Sequence, residues 1–201
     1  MRKAAVLLLV VLVFSIVFYF GTFTLGRSEA RSEVHSEVAS PINATFNRGF
    51  CVYPDSPFGK IVAGELRDRG HKVLLLAAPV ECDGQFLAVW VNYTDVEYSP
   101  VLSKGSIRVV AVYSSAGDPA DYLHYRNSTG EYVPGSSWIT SEPQVRAYLV
   151  VDVSDESKGL MGYSGYMQHL LKEAARAVVE RVEGLSKEEG KKTGLSTSDE
   201  P

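Results

Sequence analysis

RSEARSEVHSEV, residues 27–38, writes one four-residue unit three times: a basic residue, serine, glutamate and a small apolar residue. It stands between an unbroken apolar run and everything with the composition of a folded domain, so its conformation decides how the two are joined. On a helix, Arg27, Arg31 and His35 form one column and Glu29, Glu33 and Glu37 another. Like charges at i,i+4 repel by a few tenths of a kcal/mol per pair. The apolar column, Ala30, Val34 and Val38, is too narrow to bury against a domain. Pro41 then disfavours α geometry at Ser40. The stretch reads as a polar stalk, residues 27–42, about 18 Å long if helical. A weak self-association helix is the second reading. His35 has no nearby partner that would make it a ligand or a base.

The run before the stalk is MRKAAVLLLVVLVFSIVFYFGTFTLG. From Ala4 to Leu25 it holds 22 residues without a charge, against the roughly 20 needed to cross a hydrocarbon core. Arg2 and Lys3 precede it, which keeps that end cytoplasmic and sends the rest of the chain outside. The expectation is a transmembrane signal anchor over residues 1–26 in the cell membrane. The competing reading is a secretory signal cleaved after Ser28-Glu29-Ala30, but the run exceeds a usual h-region. Three sequons follow, at Asn43, Asn92 and Asn127, and they use three of the four asparagines in the chain. They agree with an extracytoplasmic glycoprotein.

Composition excludes other classes. The 201 residues carry a net charge of −4, and no basic patch dominates, so a nucleic-acid partner is not expected. HExxH, EF-hand and P-loop patterns are absent, and the sequence implies no metal and no cofactor. Two cysteines outside a membrane are expected to be bridged. A Cys51–Cys82 disulfide would staple one α-β unit and stabilise it by roughly 3.5–4 kcal/mol in the chain-entropy account.

The domain is expected over residues 43–184, followed by a disordered polar tail, 185–201. Phe46 to Tyr53 reads as a first strand. In DSPFGKIVAGELRDRG, Ser56 is a suitable N-cap, Pro57 suits the first helical position and Gly70 the C′ position, which predicts a helix over 57–69. HKVLLLAAPV reads as a buried strand. Strands are predicted over 85–98, 106–115 and 144–153, with a hairpin about Asn127. A last helix carries Met167, Leu171, Ala174, Val178 and Val182 on one stripe, capped by Ser164 and ended by Gly184. The order predicts an α+β fold: an antiparallel or mixed sheet of about 4–6 strands with two helices packed on it.

ELRDRGHKVLLLAAP resembles the helix-to-strand join of Rossmann-like domains, including nucleotide-sugar glycosyltransferases. The resemblance covers some 15 residues. No Gly-rich phosphate loop accompanies it, so it implies a local αβ unit and no nucleotide site.

Two stretches invite chemistry. GYSGY, residues 162–166, nearly matches the nucleophile elbow G-x-S-x-G between a strand and a helix. Tyr166 replaces the last glycine, and a helix cap explains Ser164 equally. DPADYLHYRN brings Asp118, Asp121, Tyr122, His124 and Tyr125 together, and Tyr132 and Trp138 follow in the same long segment. Aromatic platforms with charged ends suit a small polar ligand, and long irregular segments often carry function. His71 and His169 read as surface residues. The expectation is a membrane-anchored binding or envelope-interaction module whose partner is an envelope protein or a small polar ligand. The alternatives are a surface hydrolase using Ser164 or the His124–Asp121 neighbourhood, and a purely structural envelope component.

Overall fold

The computed structural model describes residues 2–41, 44–127 and 143–195. They form an α+β fold with one mixed six-stranded sheet in the order β1-β6-β5-β4-β2-β3 and four helices. The strands are β1 (Thr24–Ala39), β2 (Phe50–Pro54), β3 (Val73–Leu75), β4 (Gln85–Glu97), β5 (Leu102–Ser114) and β6 (Arg146–Met161). The helices are α1 (Arg2–Phe20), α2 (Phe58–Asp68), α3 (Ala120–Asn127) and α4 (Tyr163–Leu195). Along β4, β5, β6 and β1 each strand is antiparallel to the next, while β2 runs parallel to both β3 and β4.

The stalk is not a stalk. Residues 24–39 are strand β1, paired along their whole length with β6. The repeat serves a period of two as well as four. Arg27, Glu29, Arg31, Glu33, His35 and Glu37 fall on one face of the sheet. Ser28, Ala30, Ser32, Val34, Ser36 and Val38 fall on the other, where Val34 packs against the core. Helix α1 ends at Phe20, so Thr24, Leu25 and Gly26 belong to the sheet and not to an apolar helix. Among the described residues no helix is long and apolar enough to cross a membrane. The described side chains of α1, residues 6–20, cover about 22 Å, against roughly 30 Å of hydrocarbon core.

One face of the sheet holds the main core. Leu87 and Val89 of β4, Val109 and Ala111 of β5, and Leu149 and Val151 of β6 alternate onto it and are fully buried. Phe58, Val62 and Leu66 of α2 and Leu170, Ala174, Val178 and Val182 of α4 cover them. Each buried large side chain contributes about 1.5–3 kcal/mol. Helix α2 ends as its sequence demands. Gly70 takes φ +88°, His71 N–H donates to Leu66 C=O at 3.0 Å, and Gly70 N–H donates to Arg67 C=O at 2.8 Å. That is a Schellman ending, which a non-glycine residue would strain. Its start differs from expectation. Pro57 is the N-cap, and no side chain caps the helix, because the Ser56 hydroxyl is buried without a partner.

Other boundaries also move. HKVLLLAAPV does not form a buried strand; only Val73–Leu75 pairs, at the outer edge of the sheet, and Leu74 is 58% exposed. The last strand runs on to Met161 rather than stopping at residue 153. Gly184 does not end α4, which continues to Leu195, so residues 185–195 are helical and not a disordered tail. The Cys51–Cys82 disulfide is present and ties β2 to the segment before β4.

Candidate functional site

Among the described residues, the opposite face of the sheet is covered over one end only. There Phe86, Ala88 and Trp90 of β4 and Val110 and Val112 of β5 form a second, smaller core under α3. This is where the predicted ligand cluster lies. Asp118 opens α3: one carboxylate oxygen accepts from Ala120 N–H at 2.8 Å, and the other accepts from Arg146 at 2.9 Å and from the Gln144 amide at 3.1 Å. Asp121 takes the second arm of Arg146 at 3.2 Å. Arg146 is only 4% exposed, so its guanidinium sits between two carboxylates inside the fold. These charges hold α3 to β6 and are committed to the structure.

The aromatic residues divide in the same way. Tyr122 is buried, with ring centroids 5.3 Å from Tyr53 and 6.0 Å from Trp90, so its ring is part of the second core. Burial pushes its hydroxyl well above the ordinary tyrosine range, and neighbouring Asp55 adds to the effect. The Tyr125 ring lies tilted against Trp90 and Tyr148, with centroids 5.0 Å and 5.7 Å away, and it stays partly open to solvent. Burial, and then the Tyr125 hydroxyl, raise Tyr148 in turn. His124 is exposed on α3. The structure therefore brings Asp118, Asp121, Tyr122 and Tyr125 together, but mainly as the pins that seat α3. Tyr132, Trp138, Asn43 and the predicted hairpin beyond Asn127 lie outside the described residues. Asn92 stands exposed where the β4–β5 register shifts between Val91 and Tyr93, and Asn127 is exposed at the end of α3.

Beyond α3 the same face is open and charged. Arg108 on β5 meets Asp152 on β6 at 2.7 Å, and Lys104 meets Glu156 at 3.3 Å. With Glu29, Arg31, Asp95 and Glu97, the Lys104–Glu156 pair borders a shallow concavity of about 480 Å³. Its acids and bases are interleaved, which suits a polar or zwitterionic surface better than a single ion. Among the described residues no cluster of histidines, cysteines and carboxylates could hold a metal.

A polar cluster that the sequence reading missed joins β1, β6 and α4. The Ser28 hydroxyl donates to Asp155 Oδ1 at 2.5 Å and lies 2.6 Å from His169 Nε2. Ser157 donates to Asp155 Oδ2 at 2.7 Å. The Asp155 side chain is fully buried, and His169 is 29% exposed. A cavity of about 180 Å³ adjoins them, bordered by Gly26, Met161 and Tyr166. The residue types are those of a Ser-His-Asp hydrolase, but the wiring is reversed. In such a set the imidazole takes the serine proton, and the carboxylate holds the far ring nitrogen. Here the carboxylate takes the serine proton, and it lies 3.5 Å from the same Nε2 that faces the serine. With the serine proton directed to Asp155, the contact at Nε2 requires the ring to donate, and in that arrangement the cluster fastens β1, β6 and α4 together.

Ser164 lies in the first turn of α4, and its hydroxyl has no imidazole or carboxylate partner among the described residues. The glycines around it answer a packing demand. Gly162 N–H donates to Phe23 C=O at 3.0 Å and Gly165 N–H to Gly21 C=O at 3.2 Å. The link between α1 and β1 thus seats on the start of α4 and satisfies one of its open donors. GYSGY is a docking seat and not an elbow.

No protein-family model matches the chain, and no curated protein matches it. Among solved structures, a PelC variant dodecamer from Paraburkholderia phytofirmans aligns with 71% of this chain and 94% of its own, at 14% identity and a TM-score of 0.32.

Proposed function

We propose that the chain is a membrane-anchored interaction module, with α1 held in a bilayer and the α+β domain outside it. The open charged face of the sheet is its recognition surface, and an envelope protein or a small polar ligand is its partner. The observation that carries this reading is the exposure of α1. Leu7, Leu8, Leu12 and Phe14 are 53–71% exposed, and they look out in different directions around the helix. A helix apolar all round needs lipid or a large protein core. Its contacts with the domain are at its C-terminal end, where Tyr19 stacks on Tyr163 at 5.3 Å and Tyr98 donates to Phe18 C=O. The uncharged helical stretch from Ala4 to Phe20 is about 26 Å long and lies at the short end of the spanning range. Arg2 and Lys3 at its start favour an outward domain, and exposed Asn92 and Asn127 agree with it.

The hydrolase reading has less support. Ser164 has no imidazole beside it among the described residues, the Ser28 hydroxyl donates to Asp155, and Asp121 is bound to Arg146. Alkaline carbonate washing of membranes carrying the full-length chain tests the anchor: retention in the pellet is expected, and release to the supernatant would refute it. Protease added to intact cells tests the orientation. Digestion of the domain is expected, and full protection would reverse the topology.

A further inference from the structure

β1 is an edge strand of sixteen residues. Among the described residues no strand pairs with its outer rim of backbone N–H and C=O groups, and every residue from Thr24 to Glu33 is exposed. A long open edge is a template for another strand. We propose that the strand it takes is β1 of a second copy, antiparallel, with the twofold axis at Ser32.

The charges of the repeat carry the argument. They are poorly matched to the neighbour that β1 already has. Across the β1–β6 ladder Arg27 faces Lys158, Glu29 faces Glu156 and Glu33 faces Asp152. Asp152 and Glu156 already pair with Arg108, Lys104 and Lys158. Among the described residues no ion pair engages Arg27, Glu29, Arg31, Glu33 or Glu37.

Against a second β1 each charged residue meets a complementary partner, a histidine in the case of Glu29. With Ser32 opposite Ser32, Arg27 faces Glu37, Glu29 faces His35 and Arg31 faces Glu33, and the twofold doubles each pair. On the other side of the ribbon Ser28 faces Ser36 and Ala30 faces Val34, all small enough to let the strands approach. This register also overlaps residues 25–39 of both strands, nearly all of β1. A slide of two pairing positions sets Arg31 against Arg31 or Glu33 against Glu33, and a slide of one turns the charged side chains to the opposite face. Opposite charges directly across a ladder attract, and like charges repel. An edge that merely resists aggregation needs one sign of charge. Alternation of sign instead favours complementary self-pairings, and of these the register centred on Ser32 overlaps the most of β1.

The test uses the full-length chain in detergent, because α1 is part of it. Sedimentation is expected to show a dimer. Arg27→Glu with Arg31→Glu makes the edge acidic. Glu29→Lys with Glu33→Lys and Glu37→Lys makes it basic. Each variant alone is expected to sediment at half the wild-type mass, and an equimolar mixture to recover the dimer as a one-to-one heterodimer. Since both native cysteines are bridged, Ser32→Cys adds a lone thiol on the axis and is expected to cross-link to its own copy on mild oxidation. A monomeric wild type overturns the proposal. So do charge variants that remain dimeric, as association through α1 would make them, and a mixture that does not restore the dimer. None of these outcomes depends on whether α1 lies in a membrane.

Discussion

A side chain at Gly162 would fall on the carbonyl oxygen of Gly21. The start of α4 and the link between α1 and β1 touch backbone to backbone, and Gly165 meets the carbonyls of Thr22 and Phe23 in the same way. Gly162→Ala is therefore expected to force the link away and to cost about 1–3 kcal/mol, the usual range for overpacking. Ser164→Ala, between the two, is expected to stay within about 0.5 kcal/mol, as surface changes do. Denaturant midpoints of both variants check this. A reversed order would restore Ser164 as the residue that matters in GYSGY.

Arg146 makes the second case. Its guanidinium is buried between Asp118 and Asp121. Breaking a buried charge group by removing one partner costs about 3–5 kcal/mol, because the remaining charges stay uncompensated. Arg146→Met is expected to lie in that range, with α3 loosened from the sheet. Urea unfolding measures the loss, and a change below about 1 kcal/mol would mean that the two carboxylates are not held as described.

These two sites show which parts of the fold are legible in the sequence. Helix α2, its Gly70 ending and the stripe of α4 follow from local patterns, since capping and helical periodicity act within a few residues. The Cys51–Cys82 bridge follows from composition and placement. β1 does not. Its repeat can be laid on a helix or a strand, and its partner β6 lies more than a hundred residues away, so only tertiary pairing decides. The same distance hides the Ser28–Asp155–His169 cluster, whose members meet through the β1–β6 register and the packing of α4 on those strands. The Asp118–Tyr125 segment was legible as a cluster but not in its role. Nothing local announces that Arg146 will reach it and turn a candidate ligand site into a buried fastening.

Glu183 gives a pH prediction. Burial pushes its carboxyl up. The His71 ring nitrogen at 2.8 Å and the Arg69 guanidinium at 3.2 Å outweigh that and hold it below the usual carboxylate range. A folded value below the unfolded one, near 4.3, means that the contribution is present above that value and lost as pH falls through the folded one. Wild type is expected to exceed Glu183→Gln in stability at pH 7, and the two are expected to converge in acid. Thermal melts across pH 2–7 (roughly the span of carboxylate titration) would show it. Parallel curves would contradict the depressed carboxyl.

The last prediction concerns Ser28, whose hydroxyl stands between the buried carboxylate of Asp155 and the ring of His169. If the cluster is a fastening, Ser28→Ala leaves a buried carboxylate short of one donor and costs about 1–3 kcal/mol. If it is a nucleophile set, the same change abolishes labelling by a serine-reactive phosphonate and leaves stability nearly unchanged. The reversed wiring decides between them. A serine whose proton is directed to a carboxylate has none to give to an imidazole. The expected result is a lowered unfolding midpoint for Ser28→Ala and no phosphonate adduct on the wild-type chain at Ser28 or Ser164. An adduct on Ser28 by intact mass and peptide mapping would show that His169 accepts the proton after all and would bring the hydrolase reading back to this cavity.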